Sequence, residues 1–419
     1  MNQLTSHIGA SPTSFADVDL RQVIYSLSDA LDLVGIDDVA HGKRVGIMAA
    51  ACGKTLGFND EKTTFLFELG MLHDIGVSST QVHHHLLDEF EWRGSQEHCE
   101  IGFDLLRGFA PLSAMAEPVL FHHTRWSLLS EIPEMDPETA QIANLIFLTD
   151  RVDTLAAPYY ANNAILVYAS SIRDRIAKCS GTYFSPILVE AFLAASETEA
   201  FWLQLEARAI QLVLQQKLHD GRVFAASNRD LEQLGSIFAR IVDAKSPFTA
   251  NHSLGVARLA CLFGKRMGIS EENCNKLRIA GLLHDLGKLR VPDEILDKPA
   301  QLDDRERKII NTHSFETYQI LSQIKGLDEI AQWAAYHHEE PGGTGYPFHL
   351  HAENLPVEAR ILRVADIFQA MAQHRPYRKG MLSDSVSDFL KEMVNRGKVD
   401  PEVVAVAVGD MQGAMEAAC

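Results

Sequence analysis

Ten of the chain's eighteen histidines fall into two sets of five with nearly the same spacing. The first set is His41, His73, His98, His122 and His123; the second is His252, His284, His313, His337 and His338. An aspartate follows the second histidine of each set (Asp74, Asp285), and another lies downstream of each histidine pair (Asp150, Asp366). The steps are 32, 25, 24 and 1 in the first set and 32, 29, 24 and 1 in the second. Seven residues repeated in order at matching intervals point to one fold used twice. An offset of 211 residues aligns the halves without gaps from about Leu20 (Leu231) to Asp74 (Asp285). It pairs Asp32 with Asp243, Val45 with Val256 and Gly57 with Gly268, and sets ELGMLHDIG against IAGLLHDLG.

A chain of 419 residues exceeds one ordinary hydrophobic core, so the repeat predicts two domains. The segments around the histidines carry apolar residues at three- and four-residue spacing, as in LGVARLACLFGKRMG, where Gly268 is the expected helix end. Alternating β-branched runs are missing, which predicts an all-α chain of two tandem helical bundles. The first domain is expected over residues 1–215, a polar linker over 216–227 (around HDGRVFAASNRD), and the second domain over 228–419.

The net charge of -18 argues against binding to DNA, RNA or anionic membranes, while leaving room for a small anion held by local positive charge. The six cysteines form no C-x-x-C pair, and this spacing with many histidines suits a reducing compartment. MNQLTSHIGASPTS has no basic stretch followed by an apolar one, and no apolar run reaches bilayer length. A cytoplasmic protein is expected, and a homodimer is compatible with the composition.

Imidazole and carboxylate together form a ligand set for transition metals. In the second half, Asp285 has two oxygens and so can bridge two cations. One cation would take His252, His284, Asp285 and Asp366; the other would take Asp285, His313, His337 and His338. Iron, manganese or a similar divalent ion suits such nitrogen and oxygen donors. Two adjacent cations suit phosphate-ester hydrolysis, because they acidify a water and offset charge on the attacking and leaving oxygens. A lone His-Asp pair carries little information; the repetition carries it. The remaining histidines, including His83, His84 and His85, have no counterpart in the other half and read as surface residues.

These residues resemble the HD phosphohydrolase superfamily, and the second half resembles its HD-GYP subfamily. The resemblance rests on HDLGKLRVPDEIL (284–296), the histidine at 313, HHEEPGGTGYP (337–347), RVADIF (363–368) and RPYRKG (375–380). It covers about residues 228–400. It implies a metal-dependent phosphodiesterase that opens a bacterial cyclic dinucleotide to a linear 5′-phosphorylated product. By position, Asp285 and Lys288 would be catalytic, and Lys288, Tyr346, Arg375 and Arg378 would hold substrate. Arginine offers a planar fork to phosphate oxygens and lysine a point charge. Two departures bear on base preference: Gly342 and Gln369 stand where the family usually has aspartate. Some members add a third metal ligand four residues before the first histidine; Phe248 occupies that position, so two metals are expected. The tandem build resembles the enzymes for 3′,3′-cyclic GMP-AMP, which is favoured here over cyclic di-GMP.

The first half resembles a plain HD domain. It keeps His41, His73, Asp74, His98, His122, His123 and Asp150 as candidate metal ligands, and Asp37 lies where it could add one. Val77 replaces Lys288, and HHTRWSLLSEIP replaces the GYP segment. Three roles compete for this domain: a regulatory or dimerising element, a second phosphohydrolase (a 5′-nucleotidase on the linear product), or a ligand sensor with Arg125 and Trp126 gripping a nucleotide. For the whole chain, the alternatives are a receptor that binds a cyclic dinucleotide without cleaving it and a general nucleotide phosphohydrolase.

Overall fold

The helical periodicity resolves into two bundles of one build in a computed structural model that describes residues 14–34, 40–80, 82, 94–220, 225–245, 252–373 and 380–418. In the first bundle, α1 (Leu20–Asp32), α2 (His41–Thr55), α3 (Asp60–Leu72), α4 (Ser95–Leu106), α5 (Ala116–Phe121) and α6 (Pro137–Ala156) surround the histidines. Helices α7 (Ile165–Ala177), α8 (Pro186–Ala195) and α9 (Ala207–Asp220) close it. The second bundle repeats the plan with α10 (Asn228–Ala244), α11 (His252–Arg266), α12 (Glu271–Leu283), α13 (Asp304–Leu321), α14 (Asp328–Ala335) and α15 (Val357–Ala372). Helices α16 (Ser383–Asn395), α17 (Pro401–Gly409) and α18 (Met411–Ala418) end the chain. Among the described residues the fold is all-α apart from a two-stranded ribbon.

Local sequence sets the helix ends. The side chains of Asn59, Asp136 and Ser270 accept hydrogen bonds from backbone N–H groups in the first turns of α3, α6 and α12. Asp303 and Glu306 form a reciprocal capping box on α13. Gly57 and Gly268 adopt φ of 80° and 78° just beyond α2 and α11, a conformation that favours glycine.

Small residues let the histidine-bearing helices approach one another. A Cβ on Gly70 would stand 2.4 Å from the Cα of Gly46, so α2 and α3 meet backbone to backbone. The same contact in the second bundle joins Gly281 to Ala257, with a distance of 2.7 Å from a built Cβ to Cα. This close crossing brings the first histidine of each set beside the second.

The ribbon was not expected from the sequence. Strand β1 (Ser14–Asp19) pairs antiparallel with β2 (Ala225–Ser227). Residues 216–220 of the expected linker belong to α9, and 225–227 form β2. Neither strand alternates apolar and polar residues over enough length to give a period-two signal.

The halves share one hydrophobic core. Val23 and Leu27 of α1 meet Leu234, Leu283 and Leu321 around a cavity of about 10 Å³. A polar link lies beside it. Asp293 accepts hydrogen bonds from Ser79 Oγ (2.9 Å), Thr80 N (2.8 Å) and Lys245 Nζ (2.9 Å). No helix among the described residues is long and apolar enough to cross a membrane.

Candidate metal centres

In the second bundle the seven candidate ligands come from six places in the fold. His252 opens α11, whose start is fixed by Asp243: Ser253 N donates to it at 3.1 Å and Ser253 Oγ at 2.8 Å. His284 follows the last residue of α12, and Asp285 leads into a 3₁₀ turn over Leu286–Arg290. His313 lies within α13, His337 and His338 follow α14 in another 3₁₀ turn, and Asp366 lies within α15. A Cβ on Gly287 would stand 2.1 Å from His313 O, so the glycine of HDLG lets α13 bring its histidine in.

Backbone carbonyls orient three of the imidazoles. His284, His313 and His337 each direct Nδ1 at the carbonyl three residues earlier (Gly281, Ile310, Ala334), at 2.8, 2.6 and 2.5 Å. With Nδ1 as the donor, Nε2 is left as a lone-pair donor facing the centre. The two oxygens of Asp285 then face different histidines. Oδ2 lies 3.3 Å from His284 Nε2 and 3.8 Å from His252 Nε2, while Oδ1 lies 3.5 Å from His313 Nε2 and 3.8 Å from His337 Nε2. Asp366 Oδ1 is 3.2 Å from His252 Nε2. Lys288 Nζ lies 2.5 Å from Asp285 Oδ2.

His284 Nε2 and Asp285 Oδ1 are buried without a hydrogen-bond partner. Burial of polar atoms without partners is costly, and a bound cation removes that cost. Burial drives the His313 proton affinity down to about 4 and holds His337 and His338 well below the usual histidine range. Those rings are therefore neutral, as a ligand must be. Burial raises the Asp285 carboxyl, but His284 and Lys288 beside it hold it well below the usual carboxylate range. Groups of donor atoms within 4.8 Å of one another form around His252–His284–Asp366, His284–Asp285–His337 and His313–His337–His338. This nitrogen and oxygen set fits two divalent cations sharing Asp285.

The loop after His338 is held over the centre. Glu339 accepts from Phe348 N (2.6 Å) and Leu350 N (3.0 Å), and Glu340 accepts from Arg363 Nη2 (2.9 Å). Tyr346 lies stacked on His338 with ring centroids 4.7 Å apart. The anchoring acids and Arg363 were not singled out from sequence. Their signal, acids beside a histidine pair, is indistinguishable there from solvated charge. Arg375 and Arg378 lie outside the described residues, as do Phe248, Asp37 and His83–His85.

The first bundle repeats the arrangement. His73 and His122 direct Nδ1 at Gly70 O (2.8 Å) and Val119 O (2.6 Å). Asp74 Oδ2 lies 3.4 Å from His73 Nε2, and Oδ1 lies 3.3 Å from His98 Nε2 and 3.5 Å from His122 Nε2. His41 Nε2 is 3.5 Å from Asp150 Oδ1, and His123 Nδ1 is 3.9 Å from Asp150 Oδ2. His73 Nε2 and Asp74 Oδ1 are again buried without hydrogen-bond partners.

Three surroundings differ from the second bundle. Buried Val77 stands where Lys288 stands in the other half. Arg151, buried and not foreseen, donates from Nη2 to Asp150 Oδ2 at 2.8 Å. Arg125 stacks on Tyr183 at 4.3 Å and donates to its hydroxyl at 2.9 Å, and Trp126 is half-buried against a small cluster around Leu129, Ala140 and Ala143.

Residues 236–403 match the HD domain family. The 3′3′-cGAMP-specific phosphodiesterase 1 of Vibrio cholerae is 34% identical over 408 residues, which is 94% of this chain and 93% of that protein. The chain belongs to the HD-domain cyclic dinucleotide phosphodiesterases. The 3′3′-cGAMP-specific phosphodiesterase 3 of the same organism is 32% identical over 74% of this chain and 66% of its own. The cyclic di-GMP phosphodiesterase response regulator RpfG of Xanthomonas campestris is 34% identical over 44% of this chain and 50% of its own. A crystal structure of a V. cholerae cyclic GMP-AMP specific phosphodiesterase (V-cGAP3) superposes with a TM-score of 0.63 at 25% identity, covering 95% of this chain and 98% of that one. That family is one of hydrolases, and this phosphodiesterase shares the fold of the V. cholerae structure over 95% of its length.

Proposed function

We propose that the second bundle hydrolyses 3′,3′-cyclic GMP-AMP to a linear dinucleotide with a 5′ phosphate, with cyclic di-GMP as the competing substrate. The observation that carries the reading is the split of Asp285, whose two oxygens face separate histidine sets beside Lys288. Support for the base preference comes from the relative named for 3′3′-cGAMP, which matches over nearly its whole length. Two divalent cations, iron or manganese being the expected kind, would be held by His252, His284, Asp285, His313, His337, His338 and Asp366. When bound they supply an acidified water and neutralise phosphate charge.

The chain's own groups do the rest. Lys288 presents its ammonium at the mouth of the centre, where a phosphodiester oxygen would gain a charge-assisted hydrogen bond. Tyr346, fixed on His338, offers a ring face to a base and closes one wall. Arg375 and Arg378 are proposed to hold the second phosphate. Carbonyl-anchored imidazoles keep the ligand geometry in place without solvent reorganisation. Free buried thiols at Cys52, Cys99, Cys261 and Cys274 accord with a cytoplasmic setting.

For the first bundle, the favoured role is regulatory, with a metal held by His41, His73, Asp74, His98, His122, His123 and Asp150. A 5′-nucleotidase acting on the linear product is the second reading, and the partnerless His73 Nε2 and Asp74 Oδ1 atoms suit a bound metal in either role. The first domain is proposed to end near 215 and the second to begin near 228. Incubation of linear 5′-phosphorylated dinucleotide with wild-type and His73→Ala proteins separates the roles. Phosphate release lost only in the variant supports a nucleotidase; no release from either supports regulation.

A further inference from the structure

The two bundles support the first histidine of each set in chemically different ways. His41 directs Nδ1 at Asp153 Oδ2, 2.8 Å away. His252 directs Nδ1 at Gln369 Oε1, 2.5 Å away. Each partner sits three residues after the last candidate ligand, one helical turn along α6 or α15, and both are buried.

The supports of these partners differ as well. Asp153 is bound by Arg44, from Nε at 2.7 Å and Nη2 at 3.1 Å, and by the Tyr160 hydroxyl at 3.0 Å. The 211-residue offset puts Gly255 in place of Arg44. A Cβ at Gly255 would stand 2.7 Å from Gln369 Cγ and 2.9 Å from Ala418 O, so no arginine fits there. Gln369 Nε2 faces that same Ala418 carbonyl at 3.5 Å. A charged pair, Arg44 with Asp153, is thus replaced as a unit by a neutral pair, Gly255 with Gln369. An aspartate at 369 would be a buried carboxylate with no guanidinium to offset it.

We propose that Gln369 is the positioning residue of the second centre: its amide oxygen takes the Nδ1–H of His252 and commits Nε2 to the metal without adding negative charge. Its orientation is set from behind by the Ala418 carbonyl on the last helix, so the C-terminal end of the chain contributes to the geometry of the centre. This deepens the metal-centre reading and rests on it.

The test uses the full-length protein carrying His73→Ala and Asp74→Ala, so that metal uptake reports the second centre. The metal-free protein is titrated with Co²⁺ against a chromophoric chelator, following both free chelator and the visible absorption of bound cobalt. Gln369→Leu, which removes the acceptor, is expected to weaken binding by about 10- to 100-fold and to alter the cobalt spectrum. Gln369→Glu, which keeps size and acceptor oxygen but buries a charge that no guanidinium offsets, is expected to restore binding to near the parent's while lowering the metal-free thermal midpoint. Should Gln369→Leu fail to fold, Gln369→Asn, which withdraws the amide by one methylene, takes its place with the same expected loss. Equal affinity in parent and acceptor-free variant overturns the proposal. So does a folded Gln369→Glu protein that binds as weakly as Gln369→Leu. Absence of cobalt uptake by the parent overturns the metal centre itself, and the proposal with it.

Discussion

Gly287 and Lys288 are neighbours in the chain with separable duties. A side chain at 287 would collide with the His313 carbonyl, a backbone atom that cannot move without shifting α13. Gly287→Val is therefore expected to lose metal and activity together and to cost about 1–3 kcal/mol of stability; metal content and urea unfolding measure the two effects. Lys288 touches Asp285 but, as an ammonium, has no lone pair to give a metal. Lys288→Ala is expected to keep its metals and lose about 10²- to 10³-fold in turnover, the usual cost of removing one donor to a reacting oxyanion. Loss of metal in that variant would assign Lys288 to holding the centre instead. The candidate ligands were legible in the sequence because spacing repeats in both halves. The supporting role of the residues behind them was not, Gln369 standing out there only as a departure bearing on base preference. Asp153 and Gln369 differ in type, so repetition could not mark them, and their contact with His41 and His252 arises only when α6 meets α2 and α15 meets α11.

At the scale of elements, the loop from Glu339 to Leu350 is the part proposed to shape the substrate side. Glu339 gathers two backbone N–H groups and Glu340 pairs with buried Arg363 on α15. Arg363→Ala leaves Glu340 to Thr344 and the more distant Lys398 (3.5 Å) and is expected to cost about 1–3 kcal/mol. It should also raise KM more than it lowers kcat, since Tyr346 loses its fixed seat while the ligands stay. Steady-state kinetics beside a thermal melt test this; a changed kcat with constant KM would contradict it. Helix positions were readable from the three- and four-residue apolar spacing and from Gly268 after α11, while caps such as Asn59 and Ser270 were not singled out. The β1–β2 ribbon was not, because a three-residue strand carries no periodicity and its partner lies some 200 residues away.

The whole molecule is two copies fused through a common core rather than two beads on a string. Leu27 lies among Leu234, Leu283 and Leu321, and Asp293 ties Ser79, Thr80 and Lys245 into one polar knot. Asp293→Ala leaves Lys245 buried without its carboxylate and is expected to cost about 1–3 kcal/mol, seen as a lower urea midpoint. The duplication was plain in the sequence, but this junction was not, since α1 aligns with α10 and yet each serves a different neighbour.

The central claim is that Asp285 and His284 belong to a metal centre that opens a cyclic dinucleotide. The direct measurement is product analysis of 3′,3′-cyclic GMP-AMP and cyclic di-GMP incubated with Mn²⁺ and either wild-type protein or the His284→Ala, Asp285→Ala double variant. The account predicts a linear 5′-phosphorylated dinucleotide from the wild type, faster from 3′,3′-cyclic GMP-AMP, and none from the variant. Undiminished cleavage by the variant would contradict it.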